Sequence, residues 1–249
     1  MKKNIQILLL SVFSFVLGSC SVYEDVYFNA DGTVDYSLKF DASAMMTMIP
    51  DANSIGRMPA DSTISIAQIV EEHKDSLHTL TDENREVIET LMPLTLNVVN
   101  DTIAKTLHMT LSGDFKDADT LNKAFTTLNK INRERKSKKE ETDISKSKDI
   151  PDMDFSSYYT WDGKIMKRIV SNENTADIPQ EAGMKSKELM MLFSGGKMIV
   201  RYHFPDRIKA VSNDKALFSQ DGKTIVVEYP SSVYINPKAE ELDIEIEVE

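Results

Sequence analysis

The clearest pattern along the chain is an alternation of apolar and polar residues, which is typical of β-strands that bury one face. The alternation is strict at the carboxyl end, where Ile244, Ile246 and Val248 are separated by glutamates. The same kind of pattern predicts strands at 22–28, 33–40, 94–99, 103–111, 155–161, 164–170, 197–204, 208–211, 216–219, 224–229 and 242–248. Turn-forming pairs lie between consecutive strands, so the sequence predicts hairpins, with turns such as Asn100-Asp101 and Asp162-Gly163.

Helical periodicity is confined to a few segments. Residues 117–133 place apolar side chains every third or fourth position, which predicts the longest helix. Thr81 followed by two acids predicts a second helix start, because acids in a first turn suit the helix dipole, and Pro93 ends that helix. Shorter helices are predicted at 41–48, 64–74 and 186–193. Together these patterns predict an α+β fold: a mainly antiparallel sheet of hairpins with two or three helices packed on one face.

The amino terminus has the layout of a secretory signal. Lys2 and Lys3 precede an apolar stretch at 5–17, which is shorter than the roughly 20 residues that a spanning helix needs. The stretch ends in Leu17-Gly18-Ser19-Cys20, and this tetrapeptide resembles the lipobox of bacterial lipoproteins. The resemblance implies attachment of a lipid to the Cys20 thiol and cleavage before Cys20. The other interpretation is an uncleaved anchor with an incidental cysteine.

The lipobox interpretation divides the chain. Residues 1–19 are then a lipoprotein signal peptide, and residues 20–249 form a single α+β lipoprotein domain with a candidate subdivision near 135–150. Ser21 follows the cysteine where an aspartate would resemble an inner-membrane retention signal, which favours the outer membrane. Glu24 and Asp25 loosely resemble the acidic surface-export signals of some lipoproteins, so the periplasmic and the surface face both remain open.

Composition narrows the class of partner. The net charge is -11, and removal of residues 1–19 takes away two lysines and no acid, which gives -13. Such a surface repels nucleic acid, so no nucleic-acid partner is expected. Cys20 is the only cysteine, so no disulfide can form and a hydrophobic core must hold the fold. The sequence has no second hydrophobic span, which makes the lipidated Cys20 the expected attachment to the bacterial membrane.

No arrangement of residues predicts catalysis or metal binding. The four histidines, at 73, 78, 108 and 203, lack the spacing of metal ligands. Two Ser-x-x-Lys tetrads, at 145–148 and 212–215, lack the companion motifs of penicillin-binding enzymes. We therefore expect no enzyme, no metal and no cofactor. A cleft that gathered His203 with acidic side chains would favour an enzyme instead.

Methionine-rich segments are the remaining candidate site. Methionine is abundant and clusters at two places, which contain Met45, Met46, Met48, Met190 and Met191. Filling of the core is the ordinary use of methionine, while a thioether copper site and a soft apolar wall for a lipid or hydrophobic peptide are the alternatives.

Several segments resemble the LppM-type lipoproteins, a family of envelope proteins. The resemblance lies in 26–33, 38–43, 113–117 with Leu121, 202–208 and 211–213. It implies a curved sheet with helices and a lipid-binding role, and it offers no catalytic residues to transfer. The chain differs from the family in lacking a carboxy-terminal membrane helix.

These observations lead to one expected function and one alternative. We expect a membrane-anchored envelope lipoprotein that binds a hydrophobic ligand or lipid without catalysis. The alternative is a structural or assembly lipoprotein that acts through contacts with an envelope protein.

Overall fold

The computed structural model describes residues 20–48, 61–140, 157–170, 195–230 and 242–249; within them, the side chains of 45, 47–48, 76–78 and 135–140 are not described. The fold is α+β, as predicted. The strands are β1 (Ser21–Phe28), β2 (Val34–Asp41), β3 (Ser62–Ser65), β4 (Leu94–Asp101), β5 (Thr106–Phe115), β6 (Ser157–Trp161), β7 (Ile165–Val170), β8 (Lys197–His203), β9 (Ile208–Val211), β10 (Leu217–Phe218), β11 (Thr224–Pro230) and β12 (Ile244–Val248). The helices are α1 (Ser43–Met48), α2 (Ile66–Glu72), α3 (Asp82–Leu91) and α4 (Ala118–Glu140), with a 3-10 helix at Lys74–Thr79.

The strands form two sheets. The large sheet has eight strands in the order β10-β11-β8-β1-β2-β5-β4-β3, and the small sheet has four in the order β6-β7-β12-β9. The described pairings are antiparallel except that β1 pairs parallel with β8, which confirms the predicted character of the sheet. This parallel pairing places β1 in the middle of the large sheet, between β8 and β2.

The core lies between the two sheets. Val22, Val26 and Phe28 of β1 point inward, while the alternate residues point to solvent on the other face. The small sheet covers this inner face near Phe28, because the ring of Trp161 lies 5.5 Å from that of Phe28 and 5.6 Å from that of Phe204. Aromatic packing therefore joins the two sheets at the end of β1.

Helices cover the rest of the inner face. The buried stripe of α4 contains Leu121, Ala124 and Phe125, and the Phe125 ring meets Tyr36 of β2 edge-on at 4.9 Å. Asp117 caps the start of this helix, because its carboxylate accepts a hydrogen bond from the backbone amide of Thr120 at 2.8 Å. Leu121 and Phe125 belong to the helical stripe that the sequence predicts.

Three local predictions are corrected. The turn between β4 and β5 lies at 102–105 rather than at Asn100-Asp101, because the Asp101 carboxylate accepts the amides of Ile103 and Ala104 at 2.8 Å each. Ile64 lies in β3, since β3 pairs with β4, whereas the sequence predicts a helix there. Helix α4 continues to Glu140 beyond the predicted end at 133, because lysine, arginine and glutamate are good helix formers. The predicted helix at 186–193 lies outside the described residues.

Candidate functional site

Cys20 lies directly before the central strand of the large sheet. Ser21 already pairs with Asp41 of β2, so no linker separates the cysteine from the folded domain. The Cys20 side chain is fully buried, and burial together with the Asp41 carboxylate raises the pKa of its thiol. The remaining lipobox residues, Leu17, Gly18 and Ser19, lie outside the described residues.

Two other segments lie at the end of the large sheet where β1 begins, which we call the anchor end. Helix α1 follows β2 there, and the Ser43 hydroxyl accepts the backbone amide of Leu107 at 3.1 Å. The turn between β4 and β5 also lies at this end, and its Ile103 side chain is 95% exposed. The anchor end therefore combines the candidate lipidation site with a solvated apolar side chain.

The methionine-rich segments are only partly described. Met46 of α1 packs against the core as a partly buried side chain, as the core-filling interpretation expects. Met45 and Met48 belong to the same short helix, but their side chains lie outside the described part, and so do residues Met190 and Met191. The apolar ligand wall thus remains a prediction for all five methionines.

A buried ion pair lies between the two sheets. Glu24 of β1 and Arg168 of β7 are each 3% exposed, and Glu24 Oε2 lies 3.1 Å from Arg168 Nη2. The hydroxyls of Tyr36 and Tyr159 donate to Glu24 Oε1 at 3.1 and 2.7 Å, and Arg168 Nη1 donates to Tyr202 Oη at 3.2 Å. Oε2 has the ion pair but no well-aligned hydrogen bond, so the contact is mainly one of charge.

The electrostatics of this buried cluster favour one protonation state. Burial acts to lower the pKa of Arg168, but the Glu24 carboxylate together with Tyr159 and Tyr202 outweighs burial and holds that pKa above its ordinary value. Burial also raises the pKa of Tyr159 and of Tyr202. The guanidinium therefore stays charged and both phenols stay protonated, which suits a fixed bridge between the sheets.

A second polar cluster lies on the opposite, solvent-facing side of β1. Asp25 Oδ1 is 3.1 Å from His203 Nε2, and His203 Nδ1 is 3.1 Å from the Thr224 hydroxyl. Arg201 Nη1 lies 3.1 Å from Asp25 Oδ2, and the Tyr27 ring stacks on the imidazole with centroids 3.9 Å apart. Burial acts to raise the pKa of Asp25, but the hydrogen bond from His203 and the charge of Arg201 outweigh it, so the pKa lies below its usual value.

This arrangement places a carboxylate, an imidazole and a hydroxyl in the order of a nucleophilic triad. Such chemistry also needs donors for an oxyanion. The backbone amide of Thr224 is already donated to Ser219 Oγ at 2.9 Å, and β8 is paired on both sides within the sheet. The cluster lies on a sheet face, whereas the sequence argument for an enzyme required a cleft.

The other histidines lie apart from this cluster. His108 Nδ1 is 3.3 Å from Asp41 Oδ1, and His73 is exposed after α2. The His78 side chain lies outside the described part. Within the described residues, no three His, Cys, Asp or Glu side chains gather as a metal site requires.

A groove of about 380 Å³ lies beside the start of α4. Its lining is Asp117, Ala118, Asp119, Thr160, Trp161, Asp162, Ile165 and Lys167. Two of its carboxylates have structural partners, because Asp117 caps α4 and Asp162 accepts the amides of Lys164 and Ile165 at 2.8 and 2.7 Å. Asp117 and Asp162 therefore have structural roles, the first as a helix cap and the second in a turn.

Sequence reasoning named His203 together with acidic side chains but did not identify the two clusters on β1. Glu24 and Asp25 stood out only as acids near the anchor, and Arg168 did not stand out. One sign was present in the sequence. Glu24 occupies an alternating position of β1 that is otherwise apolar, between Val22 and Val26. A buried charge is rare without a partner, so this pattern predicts an ion pair without naming its other half.

Comparison with known proteins finds a similarity in structure but no match in sequence. No protein-family model matches the chain, and no curated protein matches it. The chain is similar in structure to the folded domain of the LppM protein of Mycobacterium tuberculosis, solved by NMR, with a TM-score of 0.42 and 7% sequence identity. The match covers 94% of this chain and 91% of the LppM domain. Among the helices that the structure describes, none is both long and apolar enough to cross a membrane.

Proposed function

We propose that the chain is a bacterial envelope lipoprotein, held at the membrane through lipidated Cys20, and that it binds lipid or another hydrophobic ligand without catalysis. The observation that carries the proposal is the position of Cys20, directly before a strand in the middle of the large sheet. A lipid at this residue holds the domain against the bilayer with no tether. Envelope lipids are then its nearest ligands.

The burial of the Cys20 thiol limits when the lipid can be attached. In the unmodified folded chain, Cys20 has no exposed surface and a raised thiol pKa, so it is a poor nucleophile. A diacylglyceryl group cannot occupy this position in the core. Lipidation therefore precedes folding of β1, and the Cys20 side chain turns outward in the mature protein.

The hydrogen bonds of the solvent-facing cluster favour a structural role for it. Asp25, Arg201, His203 and Thr224 satisfy one another, and the Thr224 amide is engaged elsewhere. We propose that this cluster supports the sheet and carries out no acyl transfer.

A structural or assembly role is the second candidate. Tyr158 and Ile169 are direct cross-strand partners on the small sheet, and each is 47% exposed. An exposed apolar pair of this kind favours contact with another protein. Crosslinking in cells would then recover one dominant partner, and substitution of both residues by serine would remove that crosslink.

Metabolic labelling tests the anchor. The full chain is expressed in bacteria with radioactive palmitate, alongside a Cys20→Ser variant as the matched control. We expect a labelled wild type in the membrane fraction, mainly the outer-membrane fraction because Ser21 follows the cysteine, and an unlabelled variant. A wild type without label overturns the proposal. Mass spectrometry of lipid extracted from the purified lipoprotein then tests for a bound ligand.

A further inference from the structure

The turn between β4 and β5 exposes an apolar side chain to a degree that the fold does not require. Ile103 is 95% exposed, whereas the other large apolar side chains that the structure describes as exposed reach at most 67%. The turn is locally fixed, since the Asp101 carboxylate accepts the amides of Ile103 and Ala104, and Lys105 has a φ of 54°. Ile103 is thus held out on a defined turn.

The strand register relates this turn to Cys20. Ser21 pairs with Asp41, Asp41 with His108, and His108 with Val99, so these four residues share one level across the large sheet. Cys20 lies one position beyond that level. The last pair of the hairpin, Asp101 with Thr106, lies two positions beyond it, and the turn extends further.

The hairpin is therefore long enough to reach the level of the anchor. Its tip lies two to three residues past Cys20 along the strand direction, which is about 7–10 Å at the usual rise per residue. The tip is displaced sideways by two to three strand spacings, or about 10–14 Å.

The chemistry of the tip suits a lipid surface. Ile103 offers a branched apolar side chain, and the exposed Lys105 two residues later offers an ammonium group for headgroup phosphates. The Asp101 carboxylate is turned back onto the amides of the turn. Because the lipid on Cys20 adjoins the first strand, the bilayer is the surface that this end of the sheet faces.

We infer that the turn at 102–105 inserts Ile103 into the bilayer interface beside the Cys20 lipid, as a second membrane contact that fixes the orientation of the domain. The inference rests on the proposed lipidation of Cys20. Two contacts at one end of a rigid sheet hold the domain upright, whereas one lipid anchor alone leaves it free to tilt.

The single cysteine makes a site-specific test available. The lipid occupies the Cys20 sulfur, so an Ile103→Cys substitution introduces the only free thiol in the mature protein. This thiol is labelled with a polarity-sensitive fluorophore, and the lipoprotein is reconstituted into vesicles of phosphatidylethanolamine and phosphatidylglycerol. Ala30→Cys is the matched control, because Ala30 is exposed in the β1–β2 turn at the opposite end of the same sheet.

We expect blue-shifted emission from the probe at 103 and several-fold stronger quenching by lipids that carry a quencher than for the probe at 30. If both probes behave as in water while the protein incorporates palmitate, the insertion is wrong and the anchor stands. If palmitate is not incorporated, the anchor fails and the insertion fails with it. Circular dichroism of both variants checks that each is folded.

Discussion

Glu24 and Asp25 are neighbours in sequence, yet the pleat of β1 sends their carboxylates to opposite faces of the large sheet. Glu24 meets Arg168 in the core, where water is excluded, and Asp25 meets Arg201 and His203 on the open face. The same chemical group therefore has two different energetic roles, because screening by solvent differs between the two faces.

Removal of one partner of the buried pair is expected to be costly. Arg168→Met leaves the Glu24 carboxylate uncompensated in the core, and we expect a loss of about 3–5 kcal/mol in the free energy of unfolding. Adding Glu24→Gln removes that charge and keeps an oxygen acceptor for the tyrosines, so the double variant should recover most of the loss. Urea unfolding measures both.

Lys167→Met is the matched control for the buried pair. Lys167 adjoins Arg168 on β7, but it is exposed and pairs with Glu245 at the surface. We expect a change within about 0.5 kcal/mol. Equal losses in the single and double core variants would show that Glu24 and Arg168 are not coupled.

Asp25 is expected to make stability depend on pH in the acidic range. Its folded-state pKa lies below the ordinary value of 3.8, so it stabilises the fold above about pH 4 and this contribution is lost as pH falls through the folded-state pKa. Unfolding of wild type and Asp25→Asn should therefore differ at pH 6 and converge as the pH falls through the folded-state pKa of Asp25. Asp206→Asn, at an exposed loop position, is the control substitution. A constant gap between wild type and Asp25→Asn at all pH values would contradict the assignment.

At the scale of elements, β5 shows how closely the inner face is packed. Gly113 lies opposite Tyr36 of β2 and Leu94 of β4, and a Cβ atom there would lie 2.9 Å from the Pro93 carbonyl oxygen and 3.1 Å from the Phe115 ring. The carbonyl belongs to the backbone and cannot swing away. Glycine at this position thus allows the chain before β4 to approach β5.

Gly113→Ala is expected to destabilise the fold by about 1–3 kcal/mol through overpacking. Ser112→Ala, on the outer face of the same strand, is the control and should change the free energy of unfolding by less than about 0.5 kcal/mol. Urea titration distinguishes the two. An unchanged Gly113→Ala variant would mean that the start of β4 can move aside.

Local patterns predict most of the described elements but few of their long-range pairings. Alternation places β1, β2, β7, β8 and β12 within one or two residues of their observed bounds, because each buries one face. Periodicity likewise places the start of α4, although the helix continues past its predicted end. The β1–β8 pairing joins distant parts of the chain, and residue spacing along one strand carries no information about its neighbour. The Asp25–His203 and Glu24–Arg168 contacts depend on such pairings and on the packing of the two sheets, so they could not be predicted.

At the scale of the whole molecule, the two sheets are expected to unfold together. The single tryptophan, Trp161 of β6, contacts Phe28 and Phe204 from the other sheet, so its fluorescence reports on the interface between them. We expect its urea transition to coincide with that of far-ultraviolet circular dichroism, as cooperative unfolding requires. Trp161→Phe controls for the tyrosine background. An earlier fluorescence transition would show that the sheets separate first.

The position of β1 also decides how the domain responds to force. In the lipoprotein that we propose, a pull from the membrane enters at Cys20 and, when it is directed along β1, acts on both neighbours of that strand. Eight residue pairs join β1 to β2 and six join it to β8, and their hydrogen bonds lie across the pulling direction. The hydrogen bonds on both sides of β1 are then loaded together in shear. They cannot open one at a time, as they do when an edge strand is peeled from a sheet. We therefore expect the proposed attachment point to resist a pull directed along β1.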